Sequence, residues 1–351
     1  MSPAARTPGE EVRDAVAESE RARGLVALSR QQRRVSDLQR SVSALAAEVE
    51  SLTQERDLLL AGAEFDRSPI EIKPRDLDRD ERLPIFVLSD THIEERVEPS
   101  QVNGLNRHNL KLALLKHEKW SQVALRFLRQ EQERGPCNRL VLALLGDLMS
   151  GHIHREFLEI CELTPTECVP ELVSILSSCI DFLLAEFDGE ILVPCVGGNH
   201  GRDTDRRQIA TGPRHCYETA VYALLAKQYA ANPRVTFQIA TAPEAVLNVG
   251  GYKLRCWHGD RIRYQGGVGG LAVPLNRFLD RYVEDADLDV LGHFHQFQAI
   301  RRRAIVNGSM IGYSPYAMWL GLPFEPPIQA MASVHLKSKR LVRVEPAYLD
   351  V

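Results

Sequence analysis

Three stretches decide the fold: PIFVLSDTH at residues 84–92, RLVLALLGD at 139–147 and EILVPCVGGNH at 190–200. Each carries a short apolar run that ends abruptly in polar and turn-forming residues. Ile85–Leu88 gives way to Ser-Asp-Thr-His, Leu140–Leu145 to Gly-Asp, and Ile191–Val196 to Gly-Gly-Asn-His. Short runs without polar alternation suit strands covered on both faces. Helical patterns lie between and after them, near Leu110–Arg134, Glu171–Glu186 and Tyr217–Tyr229. Strand and helix in alternation predict an α/β sheet with crossover helices. Beyond Pro233 the texture is richer in strands. They are expected at Val235–Ile239, Ala245–Val249, Tyr252–Trp257, Leu288–Leu291, Gln298–Val306, Gln329–Leu336 and Leu341–Val344, with one helix near Pro274–Glu284. Two sheets packed together are therefore expected.

Ligand sites in open α/β sheets lie beyond the carboxyl ends of strands. Five such ends carry chemistry here: Asp90-Thr91-His92, Gly146-Asp147, Gly198-Asn199-His200, Trp257-His258-Gly259-Asp260 and Gly292-His293-Phe294-His295. On an extended chain, side chains two apart point the same way. That spacing predicts that Asp90 and His92 face one point, and His293 and His295 another, with Phe294 turned away. Carboxylate, imidazole and amide oxygen together suit first-row divalent metals. No thiolate-rich zinc pattern is present, nor a Walker A or G-x-S-x-G sequence.

The ordered set D-x-H, G-D, G-N-H, H, G-H-x-H resembles the calcineurin-like metallophosphoesterase superfamily over roughly residues 84–350. The stretches GDLMSGHIHREF, VGGNHGRD, WHGDRIRYQGGVGG and VNGSMIGYSPYA are similar to its bacteriophage and prophage branch. With the strand pattern, the resemblance implies a four-layer α/β/β/α sandwich of two mixed sheets flanked by helices. It implies two divalent metal ions, Mn²⁺ first, with Fe²⁺, Zn²⁺ or Ni²⁺ as alternatives. One would be held by Asp90, His92, Asp147 and His295, the other by Asp147, Asn199, His258 and His293, with Asp147 bridging. His200 would contact the phosphate or protonate the leaving oxygen. The implied reaction is hydrolysis of a phosphomonoester or phosphodiester by a metal-activated hydroxide, with nucleotides or nucleic-acid ends as the favoured substrates. Two positions depart from the family's pattern. Gly201 stands where an acidic residue commonly follows G-N-H, with Asp203 as a substitute partner for His200, and Ser150 stands where an acid commonly lies three places after G-D.

Arg202 and Arg261 are the leading substrate-binding candidates, because a guanidinium suits bidentate phosphate contacts. Arg206, Arg207, Arg263, His152 and His154 are weaker ones. Gly266, Gly267, Gly269 and Gly270 read as an active-site loop, and Arg301–Arg303 as a charge run at a strand edge. Two other functions stay open. A DNA exonuclease or endonuclease of the same superfamily commonly carries a DNA-capping region, for which about 56 residues after His295 leave little room. A catalytically silent scaffold would not need the full ligand set.

Residues 1–64 differ from the rest. No proline falls between Pro8 and Pro69, so a long helix meets no breaker. Leu28, Val35, Val42 and Val49 take heptad position a, and Leu38, Leu45, Leu52 and Leu59 take d, with Gln31 and Arg56 as polar exceptions. Val at a with Leu at d favours a parallel two-stranded coiled coil, so a homodimer or higher oligomer through residues 28–60 is expected. Residues 65–83 read as a linker with a short strand at Ile70–Ile72, and 84–351 as the catalytic domain.

The 351 residues are 44% hydrophobic and carry a formal net charge of −4, the balance of a globular chain rather than of a nucleic-acid coat. Seven cysteines without a C-x-x-C pair argue against a disulfide framework and for a reducing compartment. The first residues lack an apolar core, and no run near 20 apolar residues stands out. The expectation is a cytoplasmic protein of a bacterial or phage-infected cell, away from membranes.

Overall fold

A computed structural model describes residues 8–63, 80–262, 270–281 and 286–351. The chain divides into two units, Met1–Asp76 and Leu77–Val351. In the first, helix α1 spans Pro8–Ala63. Its seam residues Leu28, Val35, Leu38, Val42, Leu45, Val49 and Leu52 are 48–63% exposed. The side chains of Arg56 and Leu59, and the expected linker strand at Ile70–Ile72, lie outside the described set.

The second unit holds eleven described strands in two sheets. The first sheet contains β1 (Arg82–Leu88), β2 (Arg139–Leu144), β3 (Glu190–Cys195), β4 (Val235–Ile239), β10 (Ile328–His335) and β11 (Arg340–Tyr348), in the order β11-β10-β1-β2-β3-β4. β1 to β4 are parallel, and β10 and β11 join antiparallel. The second contains β5 (Glu244–Val249), β6 (Tyr252–Trp257), β7 (Leu288–Leu291), β8 (Gln298–Ile300) and β9 (Ala304–Val306), in the order β5-β6-β7-β9-β8. Helices α2 (Leu110–Arg134), α3 (Phe157–Ile160), α4 (Pro165–Glu186), α5 (Tyr217–Gln228), α6 (Ala272–Leu279) and α7 (Pro315–Trp319), with short 3₁₀ turns at Pro99–Gln101 and Gly212–His215, complete the described elements.

The period-two alternation of a strand sets the layers. In β1, Phe86 and Leu88 face one way and meet Trp120, Leu128, Leu176 and Tyr222 of α2, α4 and α5. Leu83, Ile85 and Val87 face the other way and meet Leu254, Cys256 and Val290 of the second sheet. Trp257, Leu291 and Val306 on that sheet's far side pack on Leu275 and Leu279 of α6. Helix, sheet, sheet and helix follow in turn, as expected, and both sheets mix parallel and antiparallel pairs.

Several boundaries differ from expectation for physical reasons. β1 begins at Arg82, two residues before Pro84, because Arg82 and Leu83 pair with His335 and Val334. α4 starts at Pro165 rather than Glu171. Thr164 and Glu167 form a reciprocal capping box and Pro165 takes the first helical position; the helix then runs through Pro170. This helix is also long and apolar enough to cross a membrane by length and composition, which the sequence reading passed over. Here it lays Leu172, Leu176, Ile180 and Leu183 into the first core. The expected strand Gln298–Val306 is a hairpin, since Arg301 and Arg302 both adopt positive φ, the backbone of a tight two-strand turn. Arg301–Arg303 is thus a turn and not a strand-edge run. The helix foreseen at Pro274–Glu284 is shorter and earlier, with Glu284 outside the described residues, and α7 was not foreseen. All seven cysteines are free.

Candidate metal centre

The motif residues follow β1, β2, β3, β6 and β7, so the parallel strands of both sheets deliver them to one end of the sandwich. Two groups of ligand-type side chains result: Asp90, His92 and His295, and Asp147, His258 and His293. Within each group the ligand atoms lie within 4.8 Å of one another. Asn199 joins the second group, its Oδ1 2.9 Å from His258 Nε2. His258 and His293 pack ring to ring at 5.1 Å, and His92 and His295 at 5.2 Å. The extended-chain reading fails at one point. His293 and His295 divide between the two groups instead of sharing one, and the ring of Phe294 lies 5.1 Å from that of His293. The backbone at these positions is not extended, so period-two alternation does not apply. Asp90, His92, Asp147, His293 and His295 all have φ between 44° and 74°. Left-handed residues of this kind turn the chain sharply and cost roughly 1 kcal/mol or more each. Five together mark a site the rest of the fold holds in place.

Close glycine packing supports those turns. A Cβ on Gly198 would overlap the Asp147 carboxylate, and one on Gly292 would overlap Asp90. The backbone amide of His293 donates to Asp90 Oδ1 at 2.9 Å, and that of His200 donates to Asp147 Oδ1 at 2.8 Å. Beneath Asp90, Ser89 Oγ donates to its Oδ2, and the Asn307 amide donates to Ser89 Oγ and to Gln329 Oε1, both at 2.8 Å.

Hydrogen bonds settle which imidazole nitrogens face the centre. Ser150 Oγ donates to Glu95 Oε2 at 2.6 Å and accepts from His92 Nδ1 at 2.9 Å. His92 Nε2 is left buried without a hydrogen-bond partner. Burial, with His200 and His295 nearby, holds this ring well below the usual histidine range, which keeps the Nε2 lone pair. In His258, Nδ1 donates to the Leu145 carbonyl at 2.7 Å, while Nε2 faces Asp147 Oδ2 and Asn199 Oδ1, each at 2.9 Å. Two oxygens around one nitrogen require a proton on it. Burial opposes that charge, but the Asp147 carboxylate overrides burial and raises His258 to about 9. The same pair holds Asp147 well below the carboxylate range despite its burial. Burial and the charge on His258 lower His293 to about 3. An orphaned buried nitrogen in one group, and three donor atoms gathered on one proton in the other, are a donor set that fits two divalent cations.

His200 sits beside the centre. Its Nδ1 lies 3.1 Å from the Ser150 carbonyl, and its ring meets His92 at 4.9 Å and Phe157 at 5.5 Å. The suggested substitute partner Asp203 pairs with His215 at 3.0 Å, and the His200 ring is met instead by the Ser150 carbonyl. His154 packs on Phe157 at 5.7 Å, and His152 is half-buried in the same loop. Arg202 gives its donors to the carbonyls of Asn199, Thr204 and Asp205. Arg261 pairs with Glu244 at 2.7 Å over the rings of Trp257 and Phe278. Both arginines, with Arg207 and its ion-pair partner Asp260, line a cavity of about 340 Å³ that opens beside Asn199. Arg206 is exposed in the same loop. Arg263, Gly266, Gly267 and Gly269 lie outside the described residues; Gly270 is described, at φ 44°.

The sequence reading missed the groups that hold these loops. Buried Glu218, in the first turn of α5, accepts from Leu148 N at 2.6 Å and Gly198 N at 2.7 Å, tying the Asp147 loop to the Asn199 loop. Glu94 accepts from Ser150 N and Gly151 N. Burial, then Asp147, raises Glu218 to about 7, and burial raises Glu94 to about 7. Glu94 and Glu95 carried a signal, two acids directly after an apolar-bounded metal motif; Glu218 carried none. Lys116 was missed as well. It is 2% exposed, donates to the Met310 carbonyl at 2.9 Å and lies 2.9 Å from His108 Nδ1, while His108 Nε2 meets the carbonyl of His92.

Burial lowers Lys116 from 10.5 to about 7. Between those values the unfolded chain keeps a proton that the folded chain has released, so stability rises with pH across that window. Comparing wild type with Lys116→Met by denaturant unfolding cancels the titrations remote from Lys116, and its neighbours His108 and His117 are held below the usual histidine range, outside the window. The wild type should gain on the variant by about 1.4 kcal/mol per pH unit from about pH 7.5 to 9.5. A difference flat in pH would refute the neutral buried lysine.

No protein-family model and no curated protein matches the chain. Among solved structures, it is similar to Vps29 of Entamoeba histolytica complexed with Zn²⁺, at 13% identity and a TM-score of 0.29, covering 75% of this chain and 97% of that one. It is similar to Vps29 of Chaetomium thermophilum at 10% identity and a TM-score of 0.26, covering 75% and 95%. A hypothetical protein from Thermus thermophilus matches at 12% identity and a TM-score of 0.26, covering 76% and 97%. Scores of this size carry no argument, and the site stands on its own residues.

Proposed function

We propose that this chain is a two-metal phosphoesterase of the calcineurin-like type, acting on phosphomonoesters or phosphodiesters, with nucleotides or nucleic-acid ends as the substrate class. The observation that carries the reading is the convergence, from both sheets, of two ligand groups on left-handed loops. Asp90, His92 and His295 would hold one cation and Asn199, His258 and His293 the other, with Asp147 serving both. Two bound cations supply Lewis acidity and neutralise the phosphoester's negative charge. The chain's own work is positional. Glu95 and Ser150 set the His92 tautomer, Leu145 sets that of His258, and Glu218 keeps the Asp147 and Asn199 loops in register. His200 is tethered at its backbone to Asp147 and at its ring to Ser150, ready to give a proton to the leaving oxygen. The cavity beside Asn199, with Arg202 and Arg261, suits the group attached to that oxygen. The bacteriophage and prophage placement rests on sequence resemblance.

The test is hydrolysis by chelator-treated protein of a generic phosphodiester, a phosphomonoester and DNA, with Mn²⁺ returned. Activity should be absent in chelator and restored by Mn²⁺, with about two ions bound per chain by elemental analysis. Metal-loaded protein inert on every substrate would overturn the enzymatic reading.

The seam of α1 belongs to the same proposal, with a second copy of the chain as its occupant. Seven apolar residues at heptad spacing, about half exposed or more on one helix, gain by knobs-into-holes packing that a lone helix cannot supply. Light scattering should give a dimeric mass for the full chain and a monomeric mass after residues 1–64 are removed. An unchanged number of copies would refute self-association through this helix.

A further inference from the structure

We propose that the paired rings of Tyr316 and Trp319 form a nucleobase-stacking subsite on the His295 side of the metal centre; this rests on the phosphoesterase reading and names the substrate class as single-stranded nucleic acid. Trp319 is 79% exposed and Tyr316 67%, although Trp120 and Trp257 are fully buried. The Tyr316 and Trp319 rings stack at 6.2 Å with an interplanar angle of 22°. Two large rings held nearly parallel in solvent present a flat apolar face, and nothing in the described unit covers it.

Its position makes it a substrate surface. α7 lies in the segment that follows β9, and β9 runs parallel to β7, so that segment leaves the sheet at the end where His293 and His295 sit. Hydrogen bonds pin the segment to the centre at three places. Met310 N donates to the Asp90 carbonyl at 3.1 Å, Gln296 Nε2 to the Pro323 carbonyl at 3.3 Å, and Phe297 N to Glu325 at 2.9 Å. Leu322 N closes back on the Ala317 carbonyl, and Phe324 packs on Tyr313 at 5.6 Å. By chain length through the Pro323–Gln296 contact, Trp319 stands at most about 30 Å from His295, a span of several nucleotides. The cavity with Arg202 and Arg261 opens on the Asn199 side. A scissile phosphate between the two ligand groups would thus have rings on the His295 side and the cavity on the other. Every base has a π-face, so such stacking is tolerant of sequence.

The full-length protein in chelator, where nothing is hydrolysed, provides the test. With Trp120 and Trp257 buried, added oligothymidylate should quench Trp319 fluorescence saturably, whereas an abasic strand of the same length should not. Tyr316→Ala keeps the reporter and should weaken oligothymidylate binding about 10-fold. Trp319→Ala, followed by anisotropy of a labelled strand, should do likewise. Equal quenching by the abasic strand, or unchanged affinity in both variants, would overturn the proposal, as would fluorescence that shifts on dilution and reveals a second copy on this face. Binding without metal-dependent hydrolysis would defeat the enzymatic reading and leave the subsite standing; hydrolysis of a small diester without base-dependent binding would do the reverse.

Discussion

Asp147→Ala should lower kcat/KM for any hydrolysed phosphoester at least 10³-fold, about 4 kcal/mol of transition-state stabilisation. Its two carboxylate oxygens tie the His200 loop to His258. One carboxylate oxygen accepts the His200 amide and the other faces His258 Nε2. Taking it away removes a ligand to both proposed cations, frees the His200 loop, and leaves His258 buried with only the weaker influence of Asp90 to favour its charge. The His258 ring, raised to about 9 in the intact chain, should then fall below the usual histidine value, a change that proton NMR of the metal-free variant would read. Asp147→Asn keeps the shape and loses the charge, so it separates electrostatics from packing: it should fold with wild-type cooperativity and still be inactive. Bound metal should drop from about two ions to one or fewer. An Asp147 variant with more than a tenth of wild-type activity would show that the chemistry lies elsewhere.

Much of this is legible in the sequence alone, and the reason is local. An apolar run followed by a polar turn is a strand and its carboxyl end, and parallel strands place all such ends together. Asp90, Asp147, Asn199, His258 and His293 could be gathered in this way because each lies within a few residues of its strand. The geometry of the gathering could not. Extended-chain alternation put His293 and His295 on one point, but neither is extended and they fall in different groups, while Asp90 and His92, also at positive φ, share one; residue type alone does not announce how such a backbone turns. Glu218 was invisible because its role depends on where α5 packs, not on its neighbours in sequence. Arg202 looked like a phosphate ligand by composition, yet its guanidinium mainly braces the loop that carries Asn199. Side chains that act at the end of their own strand are readable; those that act across the fold are not.

His200→Ala should cost between about 10² and 10⁴ in rate if the ring is a general acid, and the size of the loss should depend on the leaving group. A carbonyl oxygen can only accept, so the Ser150 contact fixes a proton on Nδ1. The second proton therefore enters and leaves at Nε2. An alkoxide such as a ribose oxygen departs only when protonated, whereas p-nitrophenolate departs readily without help. The variant should lose close to the full factor on an alkyl or nucleoside ester and little on the p-nitrophenyl ester, with bound metal unchanged because His200 is in neither ligand group. An equal loss on both esters would mean that the ring only binds phosphate charge, and the proton would then have to come from another donor. Ser150→Ala sharpens the distinction. It removes the hydroxyl that orients His92 and keeps the carbonyl that orients His200. It should weaken metal binding while leaving the leaving-group dependence intact, the opposite of His200→Ala on both measurements.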